Sequence, residues 1–203
     1  MNKVLIVGVS SGLGSVLCDV FLENKYEVHG ISPMDVPQDI RHCILDYAKK
    51  DVGKDTIPRF LADETFDYVI LNTGVLGSAL EATTQTIDEL QLCFQINVGA
   101  CKQVLDVLLA QGRVGAKNVI AISSPAANKT YTSMLSYCVT KAAFRQLISC
   151  YAAEYKNTHF LTISPSSINE NNKSEEIEKF HTMYEDKYSM DIAVNKIFKG
   201  LDM

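Results

Sequence analysis

Short apolar runs alternate along this chain with longer stretches whose apolar residues recur every three or four positions. Lys3 to Gly8, Tyr26 to Ser32, Arg41 to Asp46, Asp67 to Asn72, Asn118 to Ser123 and His159 to Ser164 have strand length and end at polar or turn-forming residues. Ser11 to Lys25, Asp88 to Gln111 and Ser133 to Lys156 carry helical spacing. In the second of these the apolar stripe runs through Leu90, Phe94, Val98, Cys101 and Leu105. A last helix is expected from Asp191 to Leu201. Strands that are apolar throughout are buried on both faces, which predicts a parallel sheet with helices on both sides. Right-handed crossovers make it a doubly wound α/β domain (a Rossmann fold), with the ligand at the carboxyl ends of its strands. No repeat or low-complexity linker interrupts the pattern, so residues 1–203 read as one domain. Residues 166–190 are polar and irregular, either a lid over the pocket or a solvated loop.

Composition narrows the partners. The 203 residues are 47% hydrophobic and 21% charged, within the range of a globular domain with one core. The net charge is −5 and the lysines are scattered, which disfavours nucleic acid or an anionic membrane as partner. No apolar run approaches the ~18 residues of a spanning segment. Val4-Leu5-Ile6-Val7 is too short for a signal peptide and gives way at once to serines and glycines. Six cysteines, at 18, 43, 93, 101, 138 and 150, form no CxxC pair. They read as free thiols in a reducing compartment, the cytoplasm, and metal-ligand spacings are absent.

The first chemistry lies where the first strand meets the first helix. Gly8 ends the strand, and Gly12 and Gly14 open the helix. Free N–H groups and the helix dipole at such a turn favour a pyrophosphate, and missing β-carbons let backbone and ligand approach. Ser10 and Ser11 add hydroxyl donors. Further on, Asn72-Thr73-Gly74 closes the fourth strand, Ser124 closes the fifth, and Tyr137 and Lys141 share a helix face at a spacing of four.

On these residues the chain resembles the short-chain dehydrogenase/reductase family, in its compact branch. Gly8-Val-Ser-Ser-Gly12-Leu-Gly14 matches the branch's TGxxxGxG apart from the first threonine. Leu71-Asn72-Thr73-Gly74 matches its NNAG, and Ser124 lies thirteen residues before the Tyr137-xxx-Lys141 motif, as in the family. The resemblance implies NAD or NADP held by Gly8, Ser10, Ser11, Gly12, Leu13, Gly14, Ser32, Asp46, Tyr47, Asn72, Thr73, Gly74, Tyr137, Lys141, Pro165 and Ile168. It implies a catalytic group of Asn97, Ser124, Tyr137 and Lys141. Tyr137 would be the general acid or base, Lys141 would favour the phenolate and hold the nicotinamide ribose, and Ser124 would bond the substrate oxygen. Asn97 would order a water linked to the lysine.

The expected activity is interconversion of a small carbonyl compound and its alcohol. Alternatives are a nucleotide-binding regulator of the same fold, or a sugar-nucleotide epimerase or dehydratase. Departures from the family pattern are Pro165-Ser166 in place of PG, Glu170 in place of a threonine, and no seventh strand after the sixth. Neither Asp at 32 nor Arg at 33 is present to choose between NAD and NADP. The resemblance also implies a homodimer through helices 88–111 and 133–156. Their apolar residues Val104, Leu108, Phe144, Leu147, Ile148 and Tyr151 exceed what one helix face needs to cover a sheet.

Overall fold

A computed structural model describes residues 1–49, 53–110 and 113–165. The expected lid at 166–190, the helix at 191–201 and the candidate contact Ile168 lie outside the described residues. Six strands, β1 (Lys3–Val7), β2 (Glu27–Ser32), β3 (Arg41–Ile44), β4 (Phe66–Leu71), β5 (Ala116–Ile122) and β6 (His159–Ile163), form one sheet in the order β3-β2-β1-β4-β5-β6. Every neighbouring pair is parallel. Helices α1 (Gly12–Glu23), α2 (Thr56–Phe60), α3 (Ile87–Phe94), α4 (Ala100–Leu109) and α5 (Leu135–Glu154) lie between strands. The expected fold class is therefore present, with element ends shifted by a residue or two. The single turn of α2 is an addition.

Alternation along each central strand builds two cores. Leu5 and Val7, Val69 and Leu71, and Val119 and Ala121 face the side covered by α2, α4 and α5. Val4 and Ile6, Ile70, and Ile120 and Ile122 face the side covered by α1, with Leu13, Leu17 and Phe21. The strand order reverses direction between β1 and β4, so their carboxyl ends part at a crevice. Gly8, Asp46, Asn72 and Ser124 follow the carboxyl ends of β1, β3, β4 and β5.

The helix expected from Asp88 to Gln111 is interrupted. A π turn, Gln95–Gly99, joins α3 to α4. The run Ile87–Leu109 is long and apolar enough to cross a membrane by length and composition alone. Half of its most apolar window is buried in the fold, where Val98, Cys101, Val104, Leu105 and Leu108 pack in the core. The surplus apolar residues invoked for a dimer are likewise the chain's own core. Val104, Leu108, Phe144, Ile148 and Tyr151 are buried within one subunit, and Leu147 packs against them. The two helices bury more than one face because they pack on each other as well as on the sheet, with the Tyr151 hydroxyl donating to Asp106.

Charges gather at the amino ends of the strands, away from the crevice. Lys3 Nζ lies 2.8 Å from Glu64 and 3.3 Å from Glu27, Lys117 lies 2.7 Å from Asp67, and Arg41 pairs with Glu64. The Lys3 hydrogen bond holds Glu64 below the usual carboxylate range, and the His29 bond does the same for Glu27. At Asp67 burial acts upward but is outweighed by bonds from Lys117 and the Lys3 amide. Depressed folded values mean stability that is full above the unfolded carboxylate range, about pH 4, and lost as pH falls through the folded values. Urea midpoints should therefore fall as pH drops below about 5, and Glu64→Gln should flatten that acid limb. An unchanged limb in the variant would contradict this assignment.

Candidate active site

The glycine turn is built by close approach of backbones. Gly8 has φ +92° and Gly12 φ +54°, conformations that favour glycine. A β-carbon on Gly14 would sit 1.9 Å from the Gly8 carbonyl oxygen, and one on Gly8 would sit 2.8 Å from Thr73 N. Asn72 locks the two strand ends: its amide N–H donates to Val7 O at 2.9 Å, and its Nδ2 donates to Gly8 O at 3.0 Å. Ser11, the N-cap of α1, makes no side-chain capping bond, and the first turn carries no acidic residue. The N–H groups at this helix start are thus left for an anion, so the residues present fit a dinucleotide pyrophosphate. Leu13 is buried beneath the turn, which leaves its backbone for any such contact.

On the far side of β1 two candidates turn inward. Ser32 ends β2 beside the turn, but it is 1% exposed. Its Oγ donates to Met34 O at 3.0 Å and pairs with His42 Nε2 at 2.8 Å. Ser32, expected to contact a cofactor, thus also fastens the 33–35 turn through its hydroxyl. Asp46 is half-buried and caps its own turn, accepting from Ala48 N at 3.0 Å. Tyr47 buries its ring in the core, and burial pushes its phenol well above the ordinary range. Only the Tyr47 backbone is available to a cofactor. Its carbonyl accepts from Gln95 Nε2 at 2.6 Å.

On the near side, the π turn directs Asn97 inward, where it is 1% exposed. Its Oδ1 accepts from Val75 N at 2.7 Å, and its Nδ2 donates to Val75 O and to Thr140 Oγ1, each at 2.9 Å. The asparagine expected to order a water grips the backbone after Gly74 with both ends of its amide. A β-carbon on Gly74 would lie 3.2 Å from Lys141 Nζ and 3.5 Å from Asn97 Oδ1, so the glycine sits close beside both groups. Lys141 is 4% exposed. Its ammonium donates to Ile122 O at 3.2 Å and stands 5.6 Å from the Tyr137 ring centroid and 5.5 Å from that of Phe144. Two of its three N–H donors have no acceptor among the described residues. Burial pushes the nearby Cys101 thiol up to about 12, against the opposing pull of the Lys141 charge.

Ser124 caps a short 3₁₀ turn, Pro125–Ala127, accepting from Ala126 N at 3.2 Å. Its own proton has no acceptor among the described residues, nor has the hydroxyl of the half-buried Tyr137 a partner there. The structure thus brings Ser124, Tyr137, Lys141 and Asn97 to the same strand edge as the glycine turn. Pro165 is buried just past β6. Thr140, which links Asn97 to α5 by donating to Ser136 O at 2.7 Å, was not singled out from sequence. Its one signal there is a hydroxyl directly before Lys141.

Comparison with known proteins agrees with this geometry. A family model described as short chain dehydrogenase matches residues 2–180. The short chain dehydrogenase/reductase AacuD of Aspergillus aculeatus is 29% identical over 165 residues, covering 75% of this chain and 58% of that protein. A Bacillus subtilis benzil reductase ((S)-benzoin forming) is 26% identical over 174 residues, covering 77% of this chain and 69% of its own length. The chain thus spans little more than half of the first relative. Among solved structures, 4-hydroxyisoleucine dehydrogenase complexed with NADH superposes with a TM-score of 0.81 at 17% identity, covering 97% of this chain and 89% of that one. ElxO with NADP bound gives a TM-score of 0.77 at 17% identity, covering 97% and 90%.

The tight approach at Gly14 gives a direct test. Gly14→Ala places its methyl against a backbone oxygen that cannot swing away. Overpacking of this kind should cost at least ~1–3 kcal/mol in urea denaturation. A variant as stable as the parent would show that the turn is not packed as described.

Proposed function

This chain belongs to the short-chain dehydrogenase/reductase family of NAD(P)-dependent oxidoreductases, and we propose that it interconverts a small carbonyl compound and its alcohol. The reading is carried by the meeting of Ser124, Tyr137 and Lys141 at the carboxyl edge, with the Tyr137 hydroxyl unengaged and the Lys141 ammonium 5.6 Å from its ring. Bound NAD or NADP supplies or takes the hydride. The turn from Gly8 to Gly14 holds the pyrophosphate. Asp46 and the Tyr47 backbone, with Asn72, Thr73 and Gly74, border the adenosine half. The two free donors of Lys141 hold the nicotinamide ribose.

In reduction, Ser124 donates a hydrogen bond to the substrate oxygen, and Tyr137 gives that oxygen its proton. The Lys141 charge counters the negative charge left on the phenol oxygen. In oxidation Tyr137 takes the proton back. An absorbance assay with a panel of ketones and alcohols tests the activity. Tyr137→Phe should lose about 10²-fold or more of kcat while keeping cofactor affinity. Lys141→Met should lose both. A Tyr137→Phe enzyme that keeps more than about a tenth of the native kcat would refute the assigned role.

We also propose a homodimer through the helical runs 88–111 and 133–156. The support is the apolar surface that the single chain leaves exposed on these helices: Leu92 at 40%, Phe94 at 44% and Val139 at 46%. Light scattering at micromolar concentration should give twice the 22.5 kDa chain mass, and Phe94→Glu should halve it. A native mass of one chain rejects the dimer. The free thiols support a reducing compartment, and we place the protein in the cytoplasm on that ground.

A further inference from the structure

The helix carrying Tyr137 has no cap of its own. The residue before its first turn is Met134, which makes no side-chain capping bond, and Ser133 just upstream has φ +61°. A serine or aspartate at the cap position would have accepted from the second or third N–H of the helix. Here the second N–H, that of Ser136, donates to Gln85 Oε1 at 3.0 Å, from 51 residues away. The Ser136 hydroxyl donates to the same oxygen at 2.8 Å, and Ser136 is fully buried. Gln85 Nε2 donates to Leu80 O at 2.8 Å. Two donors on one side and a carbonyl on the other fix which end of the amide is which.

These bonds belong to a longer chain. Residues 75–85 cross from β4 to α3 and are fastened at three places. Asn97 holds Val75, Glu89 accepts from Ser78 N at 2.5 Å and from Ser78 Oγ at 2.6 Å, and Gln85 holds Ser136. From Ser136 the path returns through its carbonyl to Thr140 Oγ1 and on to Asn97 Nδ2. The strap and the two helices therefore form one closed hydrogen-bonded circuit, and Tyr137 is the residue after its Gln85 junction.

We propose that Gln85 is a positioning residue for Tyr137: it caps α5 from outside the helix and fixes the first turn so that the phenol hydroxyl meets the substrate oxygen. The proposal rests on the reaction assigned to Tyr137 above. A misplaced proton donor slows the chemical step with little loss of cofactor binding, because the glycine turn and Asn72 lie on other elements and Lys141, in the second turn of α5, is anchored separately to Ile122 O.

The test compares Gln85→Leu and Gln85→Glu with the native chain in two measurements. In Gln85→Leu, hydrogen exchange at the amides of Ser136 to Cys138 should quicken at least about fivefold, the loss expected for a missing cap. Its kcat on the best substrate of the carbonyl panel should fall about tenfold or more, with KM for cofactor unchanged. Gln85→Glu keeps an acceptor oxygen opposite Ser136 but gives up the donor to Leu80 O, and should recover part of both. Unchanged exchange in Gln85→Leu overturns the cap. Faster exchange with native kcat, a matching loss of cofactor affinity, or no recovery in Gln85→Glu overturns the positioning role. A native chain that turns over no carbonyl overturns the reaction itself, and the exchange result still reads the cap separately.

Discussion

Everything at the carboxyl edge depends on how closely two backbones approach where β1 ends. Gly14 leaves no room for a methyl against Gly8 O, and Gly8 leaves none against Thr73. That contact lets α1 start directly over the end of β1 with its N–H groups free, and it pulls the end of β4 alongside. The crevice between the diverging halves of the sheet is then lined by backbone donors on one side and by Asn72 to Gly74 on the other. A side chain at either glycine would force the two halves apart and remove the anion site.

The second constraint is a buried cation. Lys141 is almost fully covered, and burial of an ammonium is costly unless its charge is met. The Ile122 carbonyl and the two aromatic rings meet part of it, and no carboxylate does so among the described residues. The field of this charge therefore falls on its neighbours, among them Tyr137, Phe144 and Cys101. Asn97 and Thr140 hold the surrounding walls in place. The π turn makes this possible by adding a residue to the helix where Asn97 must face inward.

Much of this was legible in the sequence. Strand runs such as Leu5-Ile6-Val7 and Val69-Ile70-Leu71 announced burial on both faces, and the glycines after β1 announced the turn. Tyr137, Lys141 and Ser124 stand out as candidates because their spacings are local. What escaped depends on contacts between distant segments. The π turn leaves the apolar spacing of its helix almost unchanged, so Gln95 to Gly99 read as ordinary helix. The bonds of Ser32 to Met34 O and His42 are fixed only once β2 and β3 pair. Phe144 and Ile148 read as surplus because pattern alone does not reveal that α5 packs on α3 and the π turn as well as on the sheet. Gln85 carries no signal at all, since its partner lies on another helix.

On the function proposed above, the glycine turn and the Tyr137–Lys141 pair serve one nicotinamide dinucleotide. Calorimetric titration of the native chain with NAD, NADH, NADP and NADPH tests it most directly. Saturable binding of at least one of the four is expected, at one site per chain. No heat of binding from any of them at about millimolar concentration, where even the weakest specific complexes register, would contradict it.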